Sequence, residues 1–215
     1  MAHESGHGPL GSLAERVIHR IASNSAFFFY ARAPFYWGAM KRVRRALDLQ
    51  PGERLLDVGC GSGMGAGLTK GMYVGVDTEM AYLRFAHGRL RGRSTHSFTR
   101  MSAAELAFGD AVFDKAMMLY LCHHLDEETL DRFLQELGRV VRGKVFVLEL
   151  SPDHDNAVSG WFQRLDRGAH IRRQADLRAL LQRRYDIERE EAFFNLEHTV
   201  SCVLFTLVPQ RPGSG

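Results

Sequence analysis

Apolar positions follow two rhythms along this chain. Compact apolar runs bounded by glycine or charge alternate with stretches where apolar residues return every three or four positions. The runs predict strands over Arg54–Val58, Met72–Asp77, His96–Thr99, Phe113–Leu121 and Lys144–Leu150. The longer rhythm predicts a basic amphipathic helix over Gly38–Leu49, stopped by Pro51-Gly52, and a short helix over Gly63–Lys70. A helix over Thr78–Leu90 takes Thr78 as its cap. Asp126 caps another, in which Leu130, Phe133, Leu134, Leu137, Val140 and Val141 keep helical spacing and Gly143 closes the element. Gln174–Arg184 is a further helix, and Tyr185–Phe194 and His198–Val208 read as two final strands, close enough for a hairpin.

Strands alternating with helices predict an α/β domain. The expected architecture is a doubly wound, mostly parallel seven-stranded sheet with helices on both faces and an antiparallel C-terminal hairpin. Ligands in such sheets bind at the carboxyl ends of strands, near the switch in strand order. The residues that follow each strand are therefore where chemistry is expected.

Composition changes this picture little. The 215 residues suit one domain, and 45% hydrophobic with 25% charged residues describes an ordinary globular chain. Residues 1–12 read as a polar tail whose GPLGS string resembles a protease-cleavage remnant. Residues 13–50 read as an N-terminal helical cap, 51–208 as the main domain with an insertion over 151–173, and 209–215 as a disordered tail. Lys and Arg number 28 against 25 Asp and Glu, a net charge of +3, too small and too dispersed for a dedicated nucleic-acid binder. Cys60, Cys122 and Cys202 form no CxxC pair, which points away from disulfides and zinc and towards a reducing compartment. No apolar run is long enough to span a membrane and no secretory signal is evident, so a cytoplasmic location is expected.

The strongest chemical signal is Leu55–Gly63, LLDVGCGSG, a strand running into Gly59, Gly61 and Gly63. Glycine permits positive φ and close approach of backbone to a ligand, and amides at a following helix start favour an anionic group. Asp57 stands at the end of this strand and Asp77 at the end of the next, where a carboxylate can accept both hydroxyls of a ribose. Together they suit an adenosine-containing cofactor. The dinucleotide pattern G-x-G-x-x-G/A fits only late in the loop, on Gly61, Gly63 and Ala66.

The run Asp57-x-Gly59-x-Gly61-x-Gly63 resembles motif I of the class I S-adenosylmethionine-dependent methyltransferases. GVDTEM at 75–80 is similar to the family's second motif, SAAELAFGDAVFD at 102–114 to its adenine-side loop, and LYLCHHL at 119–125 to the end of the fourth strand in the type 11 branch. ELGRVVRGKVFVLE at 136–149 is similar to the helix and fifth strand that follow. The resemblance, over about residues 30–208, implies S-adenosylmethionine as cofactor and methyl transfer as activity. It implies that Gly59, Gly61 and Gly63 face the methionine part, and that Asp57 orients the loop and the amino group. It further implies that Asp77 binds the ribose, Met80 packs on adenine, Ala103 offers its N–H to the adenine ring, and Leu119 and Tyr120 line the sulfonium side. The family often has Asp where Ser102 stands and Pro where Ala107 stands, and the short Asp57–Asp77 spacing implies a trimmed first helix.

On the acceptor side, His123, His124 and Glu149 follow the fourth and fifth strands. Each is a candidate base or anchor, although capping or packing is the readier reading for the histidines and a structural hydrogen bond for Glu149. The cluster Asp153-His154-Asp155-Asn156 has magnesium-binding chemistry, but no matching acid follows the fourth strand, so no metal is expected. Tyr30, Phe35 and Tyr36 are candidate lid residues, equally readable as a hydrophobic staple onto the core; Trp161, Phe162 and His170 could form an aromatic wall, and Arg167, Arg172 or Arg173 could meet an anion, with surface packing an equal alternative. No NPPY-type or Pro-Cys motif is present, which leaves a small-molecule acceptor by elimination. Two other classes stay open: an NAD-dependent oxidoreductase, and a non-catalytic partner or regulatory protein of the same fold.

Overall fold

The computed structural model describes residues 38–154, 170–195 and 200–210. Helix α1 occupies residues 38–47 of this part. It is followed by β1 (Arg54–Val58), β2 (Met72–Asp77), α2 (Met80–Arg89), β3 (His96–Arg100), β4 (Lys115–Leu119), α3 (Glu127–Val140), β5 (Val145–Leu150), α4 (Gln174–Leu181), β6 (Tyr185–Asn195) and β7 (Val200–Pro209). The strands form one sheet in the order β3-β2-β1-β4-β5-β7-β6. The first five run parallel, and β7 is antiparallel to both β5 and β6. The architecture is the one the alternation of elements predicts.

The burial pattern explains why these segments sit where they do. All six positions of β5 are buried, as a strand covered on both faces requires. On one face α3 packs Leu130, Phe133, Leu134 and Leu137 against Leu56, Val58, Met118 and Val147. Its start is fixed by Asp126 Oδ1, which accepts the Thr129 N–H at 2.7 Å. On the other face α1 buries Ala39, Val43 and Leu47 against Leu55, Met117, Phe146 and Leu148. Residues 38–47 are thus part of the domain's own core. Among the described residues no helix is long and apolar enough to cross a membrane.

Several boundaries differ from the sequence reading for local physical reasons. The helix expected over Gly63–Lys70 is only a 3-10 turn, Gly65–Leu68. Gly65 and Gly67 are poor helix formers, and a Cβ on Gly65 would lie 2.5 Å from Asp57 Oδ2, so this backbone is pressed flat against the sheet. Thr78 does not cap α2. Glu79 holds the N-cap position, and the Asp77 side chain accepts the Glu79 N–H at 2.9 Å. The fourth strand starts only at Lys115, because Phe113 pairs singly with Val141. Helix α4 stops at Leu181 rather than Arg184. Gly143 does not close α3, which ends at Val140; it lets two segments touch, since a Cβ there would run into the Asp114 carbonyl. Order extends past Val208: Pro209 closes β7 and Gln210 donates to the Gln182 carbonyl.

Two glycines at the end of α3 should respond oppositely to alanine. Gly143→Ala forces overpacking against backbone, which costs about 1–3 kcal/mol and lowers Tm by roughly 2–12 °C. Gly138→Ala meets only ordinary contact with the Tyr185 hydroxyl at 3.5 Å and should raise stability by about 0.5–1 kcal/mol. Thermal and denaturant unfolding of the two variants checks both signs.

Candidate active site

The loop after β1 is built on three left-handed residues. Gly59, Gly61 and Gly63 have φ of 70°, 50° and 74°, values that side chains resist. Packing imposes glycine at two of them. A Cβ on Gly59 would lie 2.8 Å from Leu121 Cδ1, and one on Gly63 2.9 Å from the Ala86 methyl. Gly61 is different: nothing lies within 4 Å of its Cβ position. The loop is tight below Gly59 and Gly63 and open above Gly61.

The end of β2 holds this loop. Asp77, half-buried, accepts the Gly61 N–H at Oδ2 (2.8 Å) and the Glu79 N–H at Oδ1 (2.9 Å). Arg89 of α2 reaches the Gly63 carbonyl at 2.5 Å from the other side. Met80, the first residue of α2, is 38% exposed, an apolar side chain standing at the mouth of the site.

Asp57 lies beneath the loop and is 1% exposed. Its Oδ2 accepts the Tyr73 hydroxyl at 2.5 Å, whereas Oδ1 has no hydrogen-bond partner among the described residues. Burial pushes its carboxyl up to about 7, with the charge of Asp77 adding to the effect and the Tyr73 bond opposing it. Burial also raises the Cys60 thiol, which stays protonated and unreactive.

The loop from β3 to β4 borders the same strand ends. Met101 N–H donates to the Asp77 carbonyl at 3.1 Å. Ser102 is exposed, and its hydroxyl accepts the Ala104 N–H at 3.3 Å; Ala103 is half-buried. Farther along, Arg139 of α3 donates to the carbonyls of Leu106 and Phe108, both at 2.7 Å. Thus α3 fixes a connection that has no helix of its own.

Leu119 ends β4, and Tyr120 follows at φ 58°, a left-handed conformation at a residue with a bulky side chain. Such strain persists where neighbours over-determine it and clusters at functional sites. Here Tyr120 N–H donates to the Leu148 carbonyl at 2.7 Å, and its hydroxyl lies 3.6 Å from Cys202 Sγ. His123 is buried, with Nδ1 2.5 Å from Glu149 Oε1. Glu149 also accepts the His123 N–H at 3.3 Å and the Leu150 N–H at 2.9 Å. This pair ties the turn after β4 to β5. His124 is exposed, its ring centroid 4.2 Å from that of His123.

The segment before α4 docks on the same turn. His170, exposed, donates its N–H to the His123 carbonyl at 3.0 Å. Arg172 is one of three arginines the sequence offers either for an anion or for packing. Its two terminal nitrogens donate to the carbonyls of Cys122 and Leu125, both at 2.7 Å. The guanidinium fork is a fastener for the turn, because carbonyls left at the turn's end need donors. Tyr30, Phe35, Tyr36, Trp161, Phe162, Arg167, Asp155 and Asn156 lie outside the described residues.

The structure therefore gathers Asp57, the three glycines, Asp77, Met80, Ser102, Ala103, Leu119, Tyr120, His123, His124, Glu149, His170 and Arg172 around the carboxyl ends of the parallel strands and the connections that leave them. Two participants were not singled out from sequence, Tyr73 and Arg89. Only register exposes Tyr73: Gly75 sits opposite Asp57, and the tyrosine reaches in from two residues earlier on the same face.

Residues 55–144 match a family described as a methyltransferase domain. The chain is 32% identical over 124 residues to the O-methyltransferase cnsE of Penicillium expansum, covering 53% of this chain and 44% of that protein. It is 35% identical over 127 residues to a 2-phytyl-1,4-naphtoquinone methyltransferase of Synechocystis, covering 54% and 52%. The chain thus spans about half the length of these relatives. Among solved structures, magnesium protoporphyrin IX methyltransferase from Synechocystis with bound SAH superposes at TM-score 0.68, with 17% identity over 91% of this chain and 100% of that one. A SAM-dependent methyltransferase from Aquifex aeolicus superposes at 0.66, with 15% identity over 93% and 100%. Residues 55–144 thus match a methyltransferase domain, and the sheet order and overall architecture are those of the solved methyltransferase structures.

Proposed function

We propose that this chain binds S-adenosylmethionine across the ends of β1 and β2 and directs its methyl group to a small-molecule acceptor, at an oxygen, nitrogen or carbon nucleophile. The observation that carries the reading is the open space over Gly61, flanked by two carboxylates with capacity to spare. Asp57 Oδ1 lacks a partner among the described residues, which suits the α-ammonium of the cofactor. Each Asp77 oxygen already accepts one amide and keeps a further lone pair for a ribose hydroxyl. Met80 offers an apolar surface to the adenine face, and Ala103 an N–H to its edge. Gly59, Gly61 and Gly63 border the methionine part, and Leu119 and Tyr120 the sulfonium side.

When bound, S-adenosylmethionine supplies an activated methyl on a cationic sulfur; the residues of this chain supply alignment and exclusion of water. A base is needed only for a nucleophile that carries a proton. His124 fits that role, because it is exposed on a turn that His123, Glu149 and Arg172 hold in place. A small-molecule acceptor agrees with the naphthoquinone in the name of the Synechocystis relative. The three cysteines are free and buried, which suits a reducing compartment such as the cytoplasm.

Thermal unfolding with S-adenosylmethionine, S-adenosylhomocysteine or NAD tests the cofactor. A true ligand at about 100 times its Kd adds roughly 2.7 kcal/mol, a shift of about 5–10 °C in a chain of this size. NAD should give none, and a shift with NAD alone would sink the reading. Gly61→Val fills the open space and should abolish the S-adenosylhomocysteine shift. Asp77→Ala removes both the hydroxyl acceptor and the Gly61 anchor and should weaken binding while the protein stays folded. Wild-type affinity in either variant would remove that residue from the site. With an acceptor in hand, His124→Ala should lower kcat by about 100-fold or more and leave S-adenosylhomocysteine affinity unchanged. Mass detection of methylated product reads this and separates an enzyme from a non-catalytic member of the fold.

A further inference from the structure

We infer that Tyr73 is the positioning residue for Asp57, and that their pairing makes cofactor binding expel a proton from the Asp57 carboxyl. The inference rests on the cofactor reading above and assigns its amino-acid end a proton linkage.

The geometry fixes the phenol from several sides. The Tyr73 ring stacks on His96, centroids 5.3 Å apart at 24°, and tilts against Phe98 at 5.6 Å. His96 in turn lies with Nε2 3.0 Å from the Ala66 carbonyl, in the 3-10 turn that covers Asp57. Gly75 leaves room for Cys60 and for the Phe98 ring that packs on Tyr73: a Cβ there would lie 2.8 Å from Cys60 Sγ and 3.0 Å from Phe98 Cδ1. The tyrosine must be the donor, because burial raises its phenol and keeps its proton in place. One carboxyl oxygen of Asp57 is thereby satisfied and the other is left bare.

A buried carboxylate with a single donor lacks the partners an anion needs. The surroundings add none. From β2 come Tyr73 and the negatively charged Asp77, and from the glycine loop the protonated Cys60. Arg89 of α2 is engaged by the Gly63 carbonyl. The covering turn presents Gly65, β4 presents Met117, and the buried face of α1 carries Ala39, Val43 and Leu47, none of them charged; Arg44 of α1 is engaged by the Gly67 carbonyl at 2.8 Å. Asp57 therefore keeps its proton up to about pH 7. An ammonium arriving at Oδ1 supplies the missing donor and the missing positive charge. The carboxyl O–H bond then breaks and its proton leaves to solvent; no other bond changes.

The sign follows from linkage. A group that must lose a proton to bind gives affinity that rises with pH below its free-state pKa and levels off above it. Calorimetry of S-adenosylhomocysteine binding at about pH 6, in two buffers of different ionisation enthalpy, should find close to one proton released per ligand. Affinity should rise by up to about tenfold per pH unit below about pH 7. 5′-Methylthioadenosine keeps the adenosine but lacks the ammonium, and should bind with a flat profile and no release. Tyr73→Phe removes the donor and should move the levelling point to higher pH. Asp57→Asn should abolish both slope and release. Binding of S-adenosylhomocysteine without proton release, equal release with methylthioadenosine, or an unchanged profile in Tyr73→Phe each overturns the inference while the cofactor reading stands. No binding to the wild-type protein at any pH overturns both. If Tyr73→Phe does not fold, the two ligands on the wild-type protein still decide.

Discussion

One carboxylate joins the parts on which this structure depends. Asp77 ends β2, and its two oxygens accept an amide from the glycine loop and an amide from the start of α2. Its backbone carbonyl accepts a third, from Met101 where the chain leaves β3. Three separate connections are thus registered on one residue at the carboxyl edge of the sheet. A helix cap, a loop anchor and a ligand acceptor usually fall to different side chains. Here a single short side chain serves the first two and is the one proposed to serve the third, and the loop's left-handed glycines are what allow Gly61 N–H to turn towards it.

The acceptor side shows the same economy with different groups. The turn after β4 is pinned from below by Glu149 of β5 and from the side by the Arg172 fork and the His170 amide. His123 gives up its accessibility to this structural work, and His124 keeps it. The strained Tyr120 marks where this turn leaves the sheet.

Much of this was legible in the sequence because it depends on short-range pattern. The central strands were located from apolar runs, and α3 from its three-four spacing, since burial on one or both faces writes itself into hydrophobicity. The glycine loop and the acids Asp57 and Asp77 were legible because chemistry restricts those positions to few residue types. What escaped depends on partners far away in sequence. Gly63–Lys70 has the rhythm of a helix, but a carboxyl group and Met117 press against Gly65 from another strand. Arg172 is open between an anion and packing in the sequence, and only the fold sets the carbonyls of Cys122 and Leu125 beside it. Thr78 has a capping side chain, but Asp77 reaches the first free amide of α2 before it does. Tyr73 reads as one more core aromatic until register sets it two residues from a glycine that faces Asp57.

The sheet order has a bearing on how the molecule assembles. Strand β7 comes last along the chain, yet it lies inside the sheet, between β5 and β6, with eight of its ten positions buried. Its partner β5 precedes it by some fifty residues. The parallel half from β3 to β5 can pair before β7 exists. In that interval β5, apolar on both faces, presents a full row of unpaired amides and carbonyls at an open edge. Such an edge is a template for any other extended chain, and a long-range closure is slow to arrive. The hairpin of β6 and β7 therefore acts as a stopper as much as a structural element. Its local pairing lets it form quickly and dock as a unit, which shortens the time during which this protein can stick to its own copies.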